Sequence, residues 1–275
     1  MTREAAEKGR CYAVVSCIRL SGVPDGTIPP GYEKQWPSTP EGVSEKFGGE
    51  MRLYYMTSCQ WGPIDIQMRR LKLGRFDTLN DPFEMHPVNM RDRLVRRVLK
   101  EWGQLWGDEH GLLCFTETWQ NPVMWAHYAE RHYGMCLGFD VQDDLAEEVT
   151  YLDKRLDWKL DKHKPLFGLS NDDIRKILLT KFVDWKYEQE RRILLPLEGR
   201  EPDEKGLYFQ RFNKQLVLRE VLLGDRCTLK AKDIVPLIGE PEQSVCIRKV
   251  RSGFGEFRME YQKLVPAVVV PRKRR

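Results

Sequence analysis

The apolar residues of this chain come in short runs, which restricts it to folds assembled from short strands and modest helices. The strings LLCF (112–115), MCLGF (135–139), RRILL (191–195) and LVLREVLL (216–223) are of strand length and are bounded by polar or turn residues. No run approaches the roughly 18–20 apolar residues that span a bilayer, so no membrane association is expected. With 275 residues, 41% of them apolar, the chain has material for one large domain with its own core.

The first fifty residues stand apart. GVPDGTIPPGYEKQWPSTPEGVSEKFGGE (22–50) is rich in Gly, Pro, Ser and Glu, and such a stretch buries too little surface to offset its ordering entropy. The expectation is a flexible or disordered extension over 1–50, a single α+β domain over 51–264 and a basic tail over 265–275. Met51 opens the domain and is an alternative start. Segments 52–57, 112–115, 135–139, 191–195, 207–212, 216–223, 245–250 and 257–261 read as strands, and 75–79 as extended chain. Segments 64–71, 90–106 and 174–182 read as helices, the last capped by Ser170-Asn171-Asp172-Asp173. Asn121-Pro122 pairs an N-cap with proline at the first helical position, opening a helix through MWAHYAERH to Gly134. Strands grouped late, with helices interspersed earlier, predict an α+β fold: a mixed or antiparallel sheet core with packed helices.

The seven cysteines include no CxxC or CxxH pair, and the apolar stretch 14–20 is too short and too interrupted for a signal peptide. Free thiols in the cytoplasm are therefore expected, with neither metal nor disulfide. The formal net charge is only +4. Its basic clusters, RRLKLGR (69–75), 91–100 and the PRKRR tail, are explained by solvated faces as well as by a binding patch. Nucleic acid stays open as a partner.

Four constellations could carry chemistry. Asn80-Asp81-Pro82-Phe83-Glu84 is a turn, explained on its own as a structural Asx-turn. In LLCFTETWQNPVMWAHY (112–128) a buried strand delivers Phe115, Thr116 and Glu117 beside a capped helix carrying Trp125, His127 and Tyr128. Unpaired first-turn N–H groups there suit an anion or a sugar. In WKYEQERR (185–192), period-two alternation puts Glu188, Glu190 and Arg192 on one strand face, where a base, a ribose-hydroxyl site, a cation site or a salt-bridged edge strand are all open. Finally, Glu220 enters an apolar strand, where a carboxylate needs a partner or a task.

YYMTS (54–58), NDPFE (80–84), CFTE (114–117), MWAHYAERHYGMCLGFD (124–140), WKYEQER (185–191) and EVLLG (220–224) follow in the order of one bacterial family. Across 53–224 the chain resembles the uncharacterised family called domain of unknown function 2971. More distantly, the layout is similar to that of ADP-ribosyltransferases, although Tyr54-Tyr55 stands where that fold often has His, Arg or Lys. This likeness implies aromatics gripping NAD and a late glutamate under the ribose, for which Glu190, Glu220 and Glu188 are the candidates. It also implies a NAD- or nucleotide-dependent transferase or glycohydrolase, in a toxin or phage-defence setting, with NAD as substrate. The alternatives are a non-catalytic ligand-sensing or interaction module and a metal-dependent nuclease using Glu188 and Glu190. The expected site gathers Tyr54, Tyr55, Asn80, Asp81, Phe115, Thr116, Glu117, Trp125, His127, Tyr128, Glu188, Glu190 and Arg192 in or just behind the wall of one pocket, around a small nucleotide-like ligand.

Overall fold

In the computed structural model, residues 49–76, 79–84, 86–157 and 169–273 are described. The expectation of a flexible extension therefore falls almost wholly outside the described residues, and Glu50 already belongs to a strand. The elements run β1 (Glu50–Thr57), α1 (Trp61–Met68), β2 (Arg70–Lys72), α2 (Arg93–Glu109), β3 (His110–Thr116), α3 (Pro122–Tyr128), β4 (Met135–Gln142), β5 (Glu147–Glu148) and β6 (Thr150–Leu152). They continue with α4 (Asn171–Leu178), β7 (Thr180–Phe182), β8 (Glu190–Pro196), β9 (Phe209–Arg211), β10 (Leu216–Leu223), α5 (Ala231–Ile238), β11 (Val245–Ser252), β12 (Met259–Tyr261) and β13 (Val268–Val270). The fold is α+β. Its main sheet has the order β12-β11-β10-β4-β1-β3-β8-β5, with β13 added on β11. Among the described residues only the β10–β11 pairing is parallel within this sheet. Among the described residues no helix is long and apolar enough to cross a membrane.

Several boundaries moved for local reasons. The first helix starts at Trp61, whose N–H is received by the Ser58 hydroxyl (3.1 Å), and it ends where Arg69 turns left-handed (φ 50°). Leu71, read as helical, belongs to β2. The Asp92 carboxylate accepts from Leu94 N–H (2.7 Å), so α2 starts and ends later than its apolar stripe suggested. The Ser170–Asp173 capping box opens α4 as expected. That helix stops at Leu178, and Thr180–Phe182 pairs with β6 in parallel instead of extending it. Helix α5, with Pro236 inside it, and the short strands β2, β5, β6 and β13 were not anticipated. Strand β13 lies in the segment read as a basic tail.

Asn121 caps α3 through Val123 N–H (2.9 Å), but the helix ends at Tyr128, six residues before Gly134. Glu130, Arg131 and His132 then take φ of 50°, 54° and 72°, a left-handed turn of three non-glycine residues. Such residues cost roughly 1–2 kcal/mol each, so the turn needs support from outside. Glu130 Oε2 accepts Cys59 N–H (3.0 Å), and His132 O accepts Arg226 N–H (3.1 Å). Gly134 closes the turn, with its N–H on Ala129 O (2.8 Å) and its carbonyl receiving Gly224 N–H (3.0 Å).

One sheet face carries the main core, with Leu53, Phe115, Leu137, Phe139, Ile193, Val221 and Ile247 beneath α1 and α5. The other face is divided. At one end Leu112 packs with α2 and α4 residues, including Trp102, Trp106 and Ile177. At the other end Trp119, Trp125, Cys136, Leu222 and Met259 form a separate cluster. Between them one row crosses the sheet: Glu190 opposite Thr116, Thr116 opposite Tyr54, Tyr54 opposite Gly138, and Gly138 opposite Glu220. In-register residues project to one side, so this polar row shares a face. Gly138 is its low point. A methyl group there would come within 3.1 Å of Glu220 Cβ and 3.2 Å of the Tyr54 ring.

A Cβ on Gly134 would meet backbone atoms of Ala129 at 2.8 Å and press on the Thr57 carbonyl, neither of which can swing aside. Gly134→Ala is therefore expected to cost about 3 kcal/mol or more. Denaturant melts of the full chain check this, and a variant within about 0.5 kcal/mol of wild type would contradict it.

Candidate functional site

At the end of the polar row nearest β8, five charged side chains meet. Lys181, on β7, places Nζ 2.9 Å from Glu84 Oε1, 2.6 Å from Glu188 Oε2 and 3.2 Å from Glu190 Oε2. Arg192, on β8, donates through Nη2 to Glu84 Oε2 (2.8 Å) and through Nε to Glu190 Oε1 (2.8 Å). Its third nitrogen, Nη1, donates to Leu178 O (2.6 Å) at the end of α4. All five residues are buried. With every group ionised the cluster carries three negative and two positive charges.

Local backbone geometry builds the cluster. Asp81 Oδ1 accepts Phe83 N–H (2.8 Å), the Asx-turn expected of Asn-Asp-Pro, and the turn directs Glu84 inward. Glu188 ends a 3₁₀ turn (Val183–Glu188), Gln189 is left-handed (φ 44°), and Glu190 opens β8. Glu188 and Glu190 thus do not share a strand as the alternation suggested, yet both reach Lys181. Tyr128 OH donates to Glu188 Oε1 (2.5 Å) and receives Asn80 Nδ2–H (3.0 Å). Tyr151 OH receives Glu190 N–H (2.8 Å).

The three glutamates are not equivalent. Burial raises the Glu190 carboxyl, but the charge and hydrogen bonds of Arg192, with Lys181 behind them, outweigh it and hold the group down at about 2. Burial pushes Glu188 above its ordinary range, and the opposing pull of Lys181 and Tyr128 does not cancel that. Burial works against the charge on Lys181, but Glu190, Glu84 and Glu188 together raise it, so it stays an ammonium.

A cavity of about 200 Å³ opens onto Glu84, Lys181, Glu188 and Glu190. Tyr54, Tyr55, Asn80, Phe115, Thr116 and Tyr128 complete the expected part of its lining. Arg192 stands behind Glu190, as anticipated. Four other expected members fall elsewhere. Glu117 points outward to Arg191 (2.7 Å). Trp125 is wholly buried in the cluster under Met259, with Nε1–H on Trp119 O (2.5 Å). His127 is exposed, its Nδ1 3.1 Å from Tyr187 OH and its ring edge-on to Trp185. Asp81 is used in its turn and lines a neighbouring cavity. On a helix of 3.6 residues per turn, Trp125, His127 and Tyr128 cannot all face one pocket, and only Tyr128 does.

Glu220 shares the polar row but lies two strands beyond Tyr54, outside the cavity lining. It accepts from Tyr261 OH (3.2 Å) with Arg248 Nε at 3.6 Å, and burial pushes its carboxyl up. Lys181, Glu84 and Tyr151 were missed as site residues. The sequence signal for Lys181 was a lone cation in LLTKF, inside a run read as helix. Among the described residues no group of three His, Cys, Asp or Glu is placed to hold a metal ion. The three glutamates that do converge enclose the Lys181 ammonium instead. No family model, curated protein or solved structure matches the chain.

The depressed Glu190 carboxyl has a pH signature. A folded-state value near 2 against an ordinary 4.5 contributes stability above about pH 4.5, lost as pH falls toward 2. Glu190→Gln is expected to remove roughly 3 kcal/mol at pH 7 and little near pH 2. Denaturant melts across pH 2–7 check this, and parallel stability curves for variant and wild type would refute the assignment.

Proposed function

We propose that this cavity binds a nucleotide by its ribose and cleaves or transfers at the N-glycosidic bond, with NAD as substrate. The observation that carries the reading is Glu188: a buried carboxylate pushed toward higher pKa, oriented by Tyr128 and facing a cavity edged by hydroxyl and amide groups. Tyr54 and Asn80 offer the hydroxyl and amide a ribose requires, beside the Thr116 and Tyr128 hydroxyls already bonded to Thr118 and Glu188. As the C1′–N bond breaks, its electron pair leaves with nicotinamide and positive charge grows on the ribose. The net negative cluster opposes that charge electrostatically. An attacking water, or an acceptor hydroxyl, bonds to C1′ and gives its proton to Glu188, whose raised affinity suits it as a base. The role that the resemblance to ADP-ribosyltransferases allotted to a late glutamate therefore passes to Glu188, since Glu190 is held by Arg192 and Glu220 is remote.

We place this activity in the cytoplasm, a reducing compartment that suits the free thiols among the described residues. A second reading, ligand binding without turnover, draws on the saturation of the cluster: every charge in it already has a partner.

Incubation with NAD separates the two. Nicotinamide release by wild type, reduced about 100-fold or more in Glu188→Gln with the fold intact, is expected. NAD binding with no nicotinamide released by wild type would leave the binding module, and full turnover in Glu188→Gln would remove Glu188 from the reaction.

A further inference from the structure

A second cavity, of about 280 Å³, adjoins the first and shares Glu84 and Lys181 with it. Two features of its lining are exposed to solvent. Phe83 and Phe182, 60% and 48% exposed, leave aromatic surface in water. Lys154 and Arg155, on the segment after β6, are exposed and make no ion pair among the described residues; the Arg155 guanidinium lies over the Phe83 ring at 5.3 Å. The carboxylates nearby do not neutralise them. Asp81 receives a backbone N–H, Glu84 is held by Lys181 and Arg192, and Asp153 is exposed and makes no ion pair among the described residues.

Exposed aromatic rings beside cations with no ion pair among the described residues match the two ends of one ligand class. A planar base gains by stacking on Phe, and a phosphate gains from Lys and from the guanidinium fork of Arg. We propose that this cavity is a nucleoside-monophosphate site, with the base against Phe83 and Phe182 and the phosphate on Lys154 and Arg155. Joined to the ribose-binding cavity, it makes the ligand a dinucleotide lying across the Glu84–Lys181 divide, an extension that rests on the reading of the first cavity. The monophosphate site stands without it.

The test titrates AMP, adenosine and inorganic phosphate separately into the full chain by calorimetry. AMP is expected to bind at least tenfold more tightly than either fragment. Combined Lys154→Ala and Arg155→Ala should weaken AMP at least tenfold and leave adenosine unchanged. Phe83→Ala should weaken AMP and adenosine alike, with Phe83→Trp restoring both. These are exposed side chains, so melting temperatures should not move. AMP binding that follows this pattern in a protein leaving NAD intact supports the site and removes only the dinucleotide extension. AMP binding no tighter than phosphate, or indifferent to all the substitutions, overturns the proposal.

Discussion

Lys181 and Arg192 hold three glutamates that water would otherwise have to solvate, and much of the divided sheet face is organised around that exchange. Moving charges into a protein interior costs several kcal/mol per ion, recovered only when geometry and hydrogen bonding are nearly complete. Here they are complete. Arg192 uses all three of its nitrogens, and Lys181 meets three carboxylates. The partners come from the turn at 80–84, from β7, from the 3₁₀ turn and from β8, with Glu84 and Arg192 separated by 108 residues. One cluster thus ties together four segments that are distant in the chain. An apolar core of the same volume could be as stable.

The same arrangement differentiates groups of identical chemistry. Glu190 and Glu188 lie two residues apart, yet Arg192 pulls one down while burial pushes the other up. Environments that push neighbouring carboxyls apart in this way separate a fixed charge from a group able to exchange a proton. Tyr128, held from behind by Asn80, keeps the Glu188 carboxylate oriented toward the cavity.

Beneath the cluster, the main core makes the polar face affordable. The buried face of β1, β3, β4, β8, β10 and β11 is continuous and apolar, so the opposite face can carry a row of polar groups. Gly138 lowers that row between Tyr54 and Glu220. The left-handed turn at Glu130–His132 ends α3 abruptly, and its strain is offset by bonds from Cys59 and Arg226. With the helix stopped there, Trp125 seals the cluster at one end of this face while Tyr128 reaches the cavity.

The sequence alone determined the α+β class, the cap at Asn121, the capping box at Ser170 and the strand 216–223 to the residue, because these depend on local chemistry and on period-two or 3.6 spacing. It also brought Asn80, Thr116, Tyr128, Glu188 and Glu190 to one pocket, since Asn80 sits in a turn and the others where a strand, a helix or a 3₁₀ turn begins or ends. It could not separate Trp125 and His127 from Tyr128, because which helix face meets the cavity depends on what packs against the other side. Nor could it find Lys181, whose role exists only once β7 leaves α4 and lies beside β6. The choice among Glu188, Glu190 and Glu220 was likewise tertiary: a carboxylate's proton affinity is set by burial and by charges a few ångströms away, and those charges are contributed by residues distant in the chain.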